Sequence, residues 1–572
     1  MSDLLNQASL VMVPSGYKED TVYSVVPSDG SGDLSFTRAS NGTRINSAGL
    51  VEVVAWNAIQ YSEDFANAVW GIPNGGSSVV VTSNATTAPN GTATADKIEI
   101  ANGTNDRIEQ VSTAPILTSG LPCTFSCYIK SVSGTGKVGI RSGQSGVSSV
   151  LSYTNEWQRL TWTFNAAATN EIPQFCNSTL VFGADSAPSF YAWGAQLNIG
   201  STAKPYFPTT DRLNVPRLTY QNGGGGCPSL LLEKQSTNYV LSSQNLTTYW
   251  NLSNTTATAN STTSPDGTQN ASKLEDDSVN TQHRYFQNVL NSLTNETLSF
   301  SIYAKQGTHR YISWGITDNT DYRGQVVVDL QTGTITDQFT TNATLSNLSV
   351  ASQGNGWYKI SGTIAVSVNY AGGSAYAFGL MLNSSSWSTV GYTGTGTFCY
   401  LWGGQAELSS YPTSYIPTTS SSATRVADGP LNLSTTQALT NFTLFWDGLI
   451  FENGNNMFFG SGSSAWYIDI DGSTNRVVLD LSSGRIYSGF NAGVTTNQRF
   501  KLAIKRSAGV VDAFVNGIKL TPVVQVTDTT SLTLSSITWG FSSTYYPKMK
   551  VNEICAFQSA LSDAECQSLT TL

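Results

Sequence analysis

The stretch Tyr191-Ala192-Trp193-Gly194-Ala195-Gln196-Leu197 decides how this chain reads, because it returns as Tyr400-Leu401-Trp402-Gly403-Gly404-Gln405-Ala406. Each copy runs on to a Pro-Thr-Thr, at Pro208 and at Pro417. Working outward, Asn155-Glu156-Trp157-Gln158-Arg159-Leu160 matches Asn355-Gly356-Trp357-Tyr358-Lys359-Ile360, and Thr124-Phe125-Ser126-Cys127-Tyr128-Ile129-Lys130 matches Ser299-Phe300-Ser301-Ile302-Tyr303-Ala304-Lys305. A fourth pair opens the series, Ala88-Pro89-Asn90-Gly91-Thr92 with Ser264-Pro265-Asp266-Gly267-Thr268. Four blocks in one order mean a duplicated domain. The offset grows from 176 residues (Pro89 to Pro265) to 209 (Trp193 to Trp402), so the second copy carries insertions, expected in surface loops.

The duplication sets the domain plan. Residues 1–56 form an extended N-terminal segment, 57–212 the first module, 213–237 a connector, 238–427 the second module and 428–572 a third domain. The connector includes Gln221-Asn222-Gly223-Gly224-Gly225-Gly226-Cys227-Pro228, a composition expected to be flexible. A length of 572 residues suits about three or four compact units.

Local patterning is strand-like nearly throughout. Ser78-Val79-Val80-Val81-Thr82 and Gln325-Val326-Val327-Val328-Asp329-Leu330 are rich in β-branched residues and bounded by turn formers. In the third domain, Arg499-Phe500-Lys501-Leu502-Ala503-Ile504-Lys505-Arg506 and Val510-Val511-Asp512-Ala513-Phe514-Val515 predict a hairpin with one buried face, turning again at Asn516-Gly517. The fold class is all-β: tandem antiparallel sandwiches following the N-terminal segment.

Composition narrows the function. Charged residues are 12% of the chain, about half the usual share, while 23 Phe, 13 Trp and 25 Tyr supply ample core. A net charge of −9 without a Lys/Arg cluster gives no cationic field for a phosphate backbone, so nucleic acid is not an expected partner. The start, Met1-Ser2-Asp3-Leu4-Leu5, has no secretory-signal pattern and no apolar run approaches a membrane span, so the chain is expected to be soluble and unprocessed. Seven cysteines make neither an even framework nor a CxxC pair and are expected mostly as small buried apolar groups in a reducing cytoplasm.

The string Val510-Val511-Asp512-Ala513-Phe514-Val515-Asn516-Gly517 and the ending Val551-Asn552-Glu553-Ile554-Cys555-Ala556-Phe557-Gln558-Ser559-Ala560-Leu561-Ser562-Asp563-Ala564-Glu565 resemble the concanavalin A-like, laminin-G-like lectin fold. Asn552 stands where the family pattern has Asp. The repeated modules resemble jelly-roll carbohydrate-binding modules common in bacteriophage structural proteins, through Ser264-Pro265-Asp266-Gly267-Thr268 and Trp402-Gly403-Gly404-Gln405 with Pro412-Thr413-Ser414-Tyr415-Ile416-Pro417-Thr418. Residues Pro14-Ser15-Gly16-Tyr17-Lys18 and Thr43-Arg44-Ile45-Asn46-Ser47-Ala48-Gly49-Leu50 are similar to the start of phage tail or fibre proteins.

Together these likenesses imply a structural protein of a tailed-phage virion: a fibre, tail-tip or capsid-decoration component made in the host cytoplasm. Its partners would be other virion proteins, through the N-terminal segment, and host-surface glycans. A homo-oligomer, a trimer by family likeness, is implied. A purely architectural protein without sugar affinity and a polysaccharide depolymerase are the alternatives, and the chain is expected not to be an enzyme.

Sugar-binding sandwiches set aromatic faces against pyranose C–H groups while amides hold the hydroxyls. Trp157, Trp193, Trp357 and Trp402 occupy matching positions in both copies, which points to packing. Trp387, in a turn-rich segment, and Trp539 near Tyr545 and Tyr546 are the candidate ligand contacts. Asp469, Asp471, Asn475 and Asp480 raise a structural calcium, but the run lacks the late bidentate Glu of a 12-residue loop, and turn geometry explains it more simply. No cofactor is expected. Catalysis has little to draw on: the two histidines, His283 and His309, lie in the second copy alone, and no GxSxG or HExxH motif occurs. Glu452, Asp469, Asp471 and Asp480 are the acids available for a two-carboxylate mechanism.

Overall fold

The computed structural model describes residues 2–73, 78–114, 116–117, 119–293, 295–318, 322–366, 373–452, 456–461, 466–470, 476–481, 486–524, 527–537 and 547–572. The chain divides into two compact units, Val53–Leu213 and a larger one made of Met1–Glu52 with Asn214–Leu572. Strands dominate both, and the strands pair antiparallel. Among the described residues no helix is long and apolar enough to cross a membrane.

The smaller unit is a two-layer sandwich of five-stranded sheets. One runs Ser148–Tyr153, Gly136–Ser142, Pro173–Cys176, Arg107–Gln110, Trp70–Gly71; the other Gln158–Asn165, Pro122–Ser131, Ser189–Ile199, Ala95–Ile100, Val79–Thr86. Phe125, Ile129, Ile140, Phe175, Phe190 and Leu197 fill the space between them.

The second module, in the larger unit, keeps that strand order and adds one strand to each sheet. The additions, Thr334–Thr340 and Ala343–Gly354, are consecutive in sequence and form the outer edges. They account for the offset between copies, which steps from 175 (Phe125 to Phe300) to 200 (Trp157 to Trp357). The insertion expected in surface loops is therefore largely an edge-strand pair, whose alternating exposed and half-buried residues carry too little apolar character to stand out.

Among the described residues, the third sandwich packs an eight-stranded sheet against a ten-stranded one. The hairpin forms as the sequence indicates, with Leu502 opposite Val515 and the next turn at Asn516 and Gly517, both at positive φ. Its expected single buried face is corrected: Phe500–Ser507 is buried along nearly its whole length. The reason is the C-terminal helix Asp563–Thr570, whose Cys566 and Leu569 cover Phe445, Ala503 and Phe514 on the sheet's outer side. Ser562 caps that helix, its Oγ accepting from Glu565 N while its own N–H donates to Glu565 Oε2.

The N-terminal segment opens with a short helix, Ser2–Leu5, and through Glu52 it does not stand apart from the third sandwich. Leu10–Met12 pairs with Met549–Phe557, and Leu34–Ser35 pairs with Leu431–Leu439, so the segment contributes to both sheets. Ser229–Leu232 of the connector also pairs with Met549–Phe557. Leu10, Met12, Val22, Leu34, Leu230 and Leu232 are core residues of this sandwich, in runs too short to show a strand period. The glycine-rich connector is anchored too. Gly225 N donates to Ser47 O, and Gly224, at φ +86°, lies so close to Gly49 that a Cβ there would meet Gly49 N at 2.6 Å.

Candidate functional site

A buried charge cluster ties the segments of the larger unit together. Arg217 Nη1 donates to Glu233 Oε2 at 2.7 Å, Arg38 Nη1 to Asp428 Oδ1 at 2.8 Å, and Arg217 also pairs with Asp428. Arg425 Nη2 lies 3.4 Å from Glu233 Oε2. Ser414 completes the Glu233 shell, its N–H and Oγ each donating at 2.7 Å. Burial raises the cost of ionising Glu233, but Arg425 and Arg217 outweigh it and hold the carboxyl down to about 2.

Against this cluster lies a cavity of about 420 Å3. The second module supplies Tyr303, Lys359 and Tyr415 to it, the third sandwich Phe451 and Lys550, and the N-terminal segment Arg44; Glu233 and Ser414 also line it. Asn222, Asn347, Ser349 and Asn497, all exposed, line it with amides and a hydroxyl.

A bulge sets the aromatic wall. Ser301 faces Gln405 but Tyr303 faces Trp402, so Phe398–Glu407 carries one extra residue, with Gly403 at φ +67°. Tyr303, Trp402 and Tyr415 then cluster, with centroids 5.2 Å (Tyr303–Trp402) and 4.7 Å (Trp402–Tyr415) apart. The first module repeats the device through Gly194 at φ +66° and Tyr128, Trp193 and Tyr206. Phe451 stacks on Tyr411 at 5.1 Å, extending the apolar lining.

The cations differ in how they are held. Arg44 is paired with Glu52 at 2.9 Å. Lys359 Nζ donates to Thr413 O at 3.3 Å and sits 5.9 Å from the Tyr303 ring centroid. Lys550 projects from the strand Met549–Phe557. Neither Lys359 nor Lys550 has an ion-pair partner among the described residues. Burial pushes both ammonium groups below the ordinary lysine value; Glu407 and then Glu233 partly offset it for Lys359, and Glu233 for Lys550. Glu233 itself is already engaged by Arg217, Arg425 and Ser414.

Of the residues singled out in the sequence, Trp387 is half-buried, stacked on Phe339 at 5.3 Å, with its N–H donating to Asp337 Oδ2 at 2.8 Å. Trp539, Tyr545 and Tyr546 lie outside the described residues, as do Asp471 and Asn475. Trp193, Trp357 and Trp402 are buried and Trp157 half-buried. Asp469 is buried, Asp480 accepts from Tyr467 Oη at 2.8 Å, and Glu452 is engaged by Lys234, Lys548 and Ser410. Among the described residues no three His, Cys, Asp or Glu side chains come together as a metal site.

His283 and His309 are buried, their ring nitrogens bonded to Asn254 O and Tyr392 O, and to Thr397 Oγ1 and Tyr311 O. The cavity residues were missed in the sequence because they come from four distant segments. The one signal was Lys359, which follows the repeated Trp357 as Arg159 follows Trp157.

No protein-family description matches the chain, and no curated protein matches it. Solved structures do. The tandem CBM22 domains of Paenibacillus barcinonensis Xyn10C are 13% identical at TM-score 0.20, over 65% of this chain and all of that one. The LG1-3 region of the laminin α2 chain is 9% identical at TM-score 0.17, over 78% and 95%. Trypanosoma rangeli sialidase in complex with sialic acid is 10% identical at TM-score 0.19, over 94% and 97%. The expectation that the chain is not an enzyme is corrected here: sialidases stand among the similar structures, and that exclusion no longer holds. Likeness at this level assigns neither ligand nor activity to the chain.

Proposed function

We propose that this chain is a structural component of a tailed-bacteriophage particle that presents β-sandwich domains to glycans on the host surface. The observation that carries the adhesive half is the cavity of about 420 Å3, where aromatic rings, neutral amides and two lysines without carboxylate partners converge. Aromatic faces with surrounding amides are the chemistry that sugar recognition uses. The virion half rests on the motif likenesses at Pro14–Lys18, Thr43–Leu50 and Trp402–Gln405. Several copies on one particle, as a trimer or larger array, turn weak individual sites into firm adhesion through effective concentration.

The test is gold labelling of phage particles with an antibody to this chain, together with competition of phage adsorption by the purified protein. Label on the particle and slowed adsorption are expected. Particles without label overturn the virion assignment, and labelled particles whose adsorption is untouched leave an architectural role in place of adhesion.

A further inference from the structure

We propose that the cavity takes an acidic sugar residue, its carboxylate received by Lys359 and Lys550 and its ring laid against the aromatic wall; this rests on the glycan-adhesion reading. Two half-buried lysines line one cavity, and among the described residues no carboxylate pairs with either. A charge partly withdrawn from water without a counter-charge carries a desolvation cost, and an anionic ligand relieves it. Neither neighbouring carboxylate serves, since the oxygens of Glu233 are already taken by Arg217 and Ser414 and those of Glu407 by Ser299 and Thr413.

The repeat sharpens the point. In the first module the equivalent cation, Arg159, is held locally, its Nη2 donating to Ser126 Oγ at 3.0 Å and to Lys204 O at 2.8 Å over the Tyr128 ring. A cation at this position is therefore part of the module's build. In the second module it is a lysine with one carbonyl partner, and the third sandwich brings Lys550 to the same cavity. A volume of about 420 Å3 lies within the range of ligand pockets. Asn497 offers an amide for hydroxyls, Asn347, whose Nδ2 donates to Thr363 Oγ1 and Ser410 O, lines the cavity beside it, and Tyr303 and Phe451 offer rings for the C–H face.

The experiment titrates the full chain, by calorimetry, with tetrasaccharides carrying glucuronate, galacturonate or mannuronate, with their neutral counterparts, and with inorganic phosphate. At least one uronate ligand should bind at least tenfold tighter than its neutral counterpart, with affinity falling as NaCl rises from 50 to 500 mM. Lys550→Met and Lys359→Met should each lose at least tenfold, whereas Lys550→Arg should retain binding. Since the salt dependence is read on the unmodified chain, the proposal stays testable if a Met variant misfolds. Equal affinity for acidic and neutral sugars, or no loss in folded Met variants, overturns the acidic-sugar assignment while leaving glycan adhesion standing. Phosphate binding as tightly as the uronates overturns it in favour of a simple anion site. Binding of no saccharide overturns this assignment, while the adsorption competition judges adhesion separately.

Discussion

Asn57 and Asn238 make the same four hydrogen bonds in the two repeated modules. Asn57 Nδ2 donates to Ala195 O and Phe207 O while its Oδ1 accepts from Ile59 N and Leu197 N. Asn238 does the same with Gly404 O, Ile416 O, Val240 N and Ala406 N. Both side chains are fully buried. Each staples the opening of its module to the bulged closing strand, which is why one short neutral amide recurs where an apolar residue would leave four backbone groups unpaired.

Removing either amide should cost about 3 kcal/mol, because buried backbone donors and acceptors lose their partners. The two asparagines belong to different compact units. Asn57→Ala should therefore lower one unfolding transition in calorimetry and Asn238→Ala the other. A single transition shifted equally by both would contradict the division.

The bulge glycines give a graded prediction. A Cβ at Gly403 would stand 2.8 Å from Tyr303 Cδ2, whereas one at Gly194 would first meet Tyr206 Cζ at 3.1 Å. Both residues have positive φ, costing an L-residue about 1–2 kcal/mol before any clash. Gly403→Ala should destabilise more than Gly194→Ala in denaturant titration, and the reverse order would refute the packing described around Tyr303.

Much of this was legible in the sequence, and what was not has a physical cause. The Trp-Gly-x-Gln blocks read as a repeat and the Ala560-Leu561-Ser562-Asp563-Ala564-Glu565 string as a lectin-like ending; the bulge at Gly194 and Gly403 and the helix capped by Ser562 come only with the structure. Leu10–Met12 and Ser229–Leu232 were not legible as strands of the third sandwich, because pairing over hundreds of residues leaves no trace in a three- or four-residue run. The cavity was hidden for the same reason. Lys359 and Lys550 lie on strands of different sandwiches, and nothing near either announces the other.

The buried ion cluster should set the acid stability of the larger unit. Glu233 has its folded value lowered from 4.5 to about 2, so its contribution is present above about pH 4.5 and is lost as pH falls toward 2. Burial pushes Asp428 up, but Arg217, Arg38 and Arg425 together hold it below its ordinary value, which adds in the same sense. Unfolding of this unit, followed in urea at pH 6, 4 and 3, should show stability falling between pH 6 and 3 by roughly 2 kcal/mol on account of Glu233. Glu233→Gln should flatten the dependence. An unchanged slope in the variant would show that Glu233 is not the group being protonated.

Thiol chemistry should separate one cysteine from six. Cys227 is exposed, while Cys123, Cys127, Cys176, Cys399, Cys555 and Cys566 are buried. Burial pushes the thiols of Cys123, Cys176 and Cys399 up to about 12, which suppresses the reactive thiolate. Titration of the native protein with a disulfide reagent should label one thiol rapidly, and seven only after denaturation. Fast labelling of more than one, or persistence of the fast phase in Cys227→Ser, would contradict this assignment.

Retention of the fluorescently labelled, intact chain on an array of immobilised host-surface polysaccharides tests adhesion most directly. Saturable retention on at least one of them, displaced by the same polysaccharide in solution, is the predicted result. A folded chain retained on none of them would contradict it.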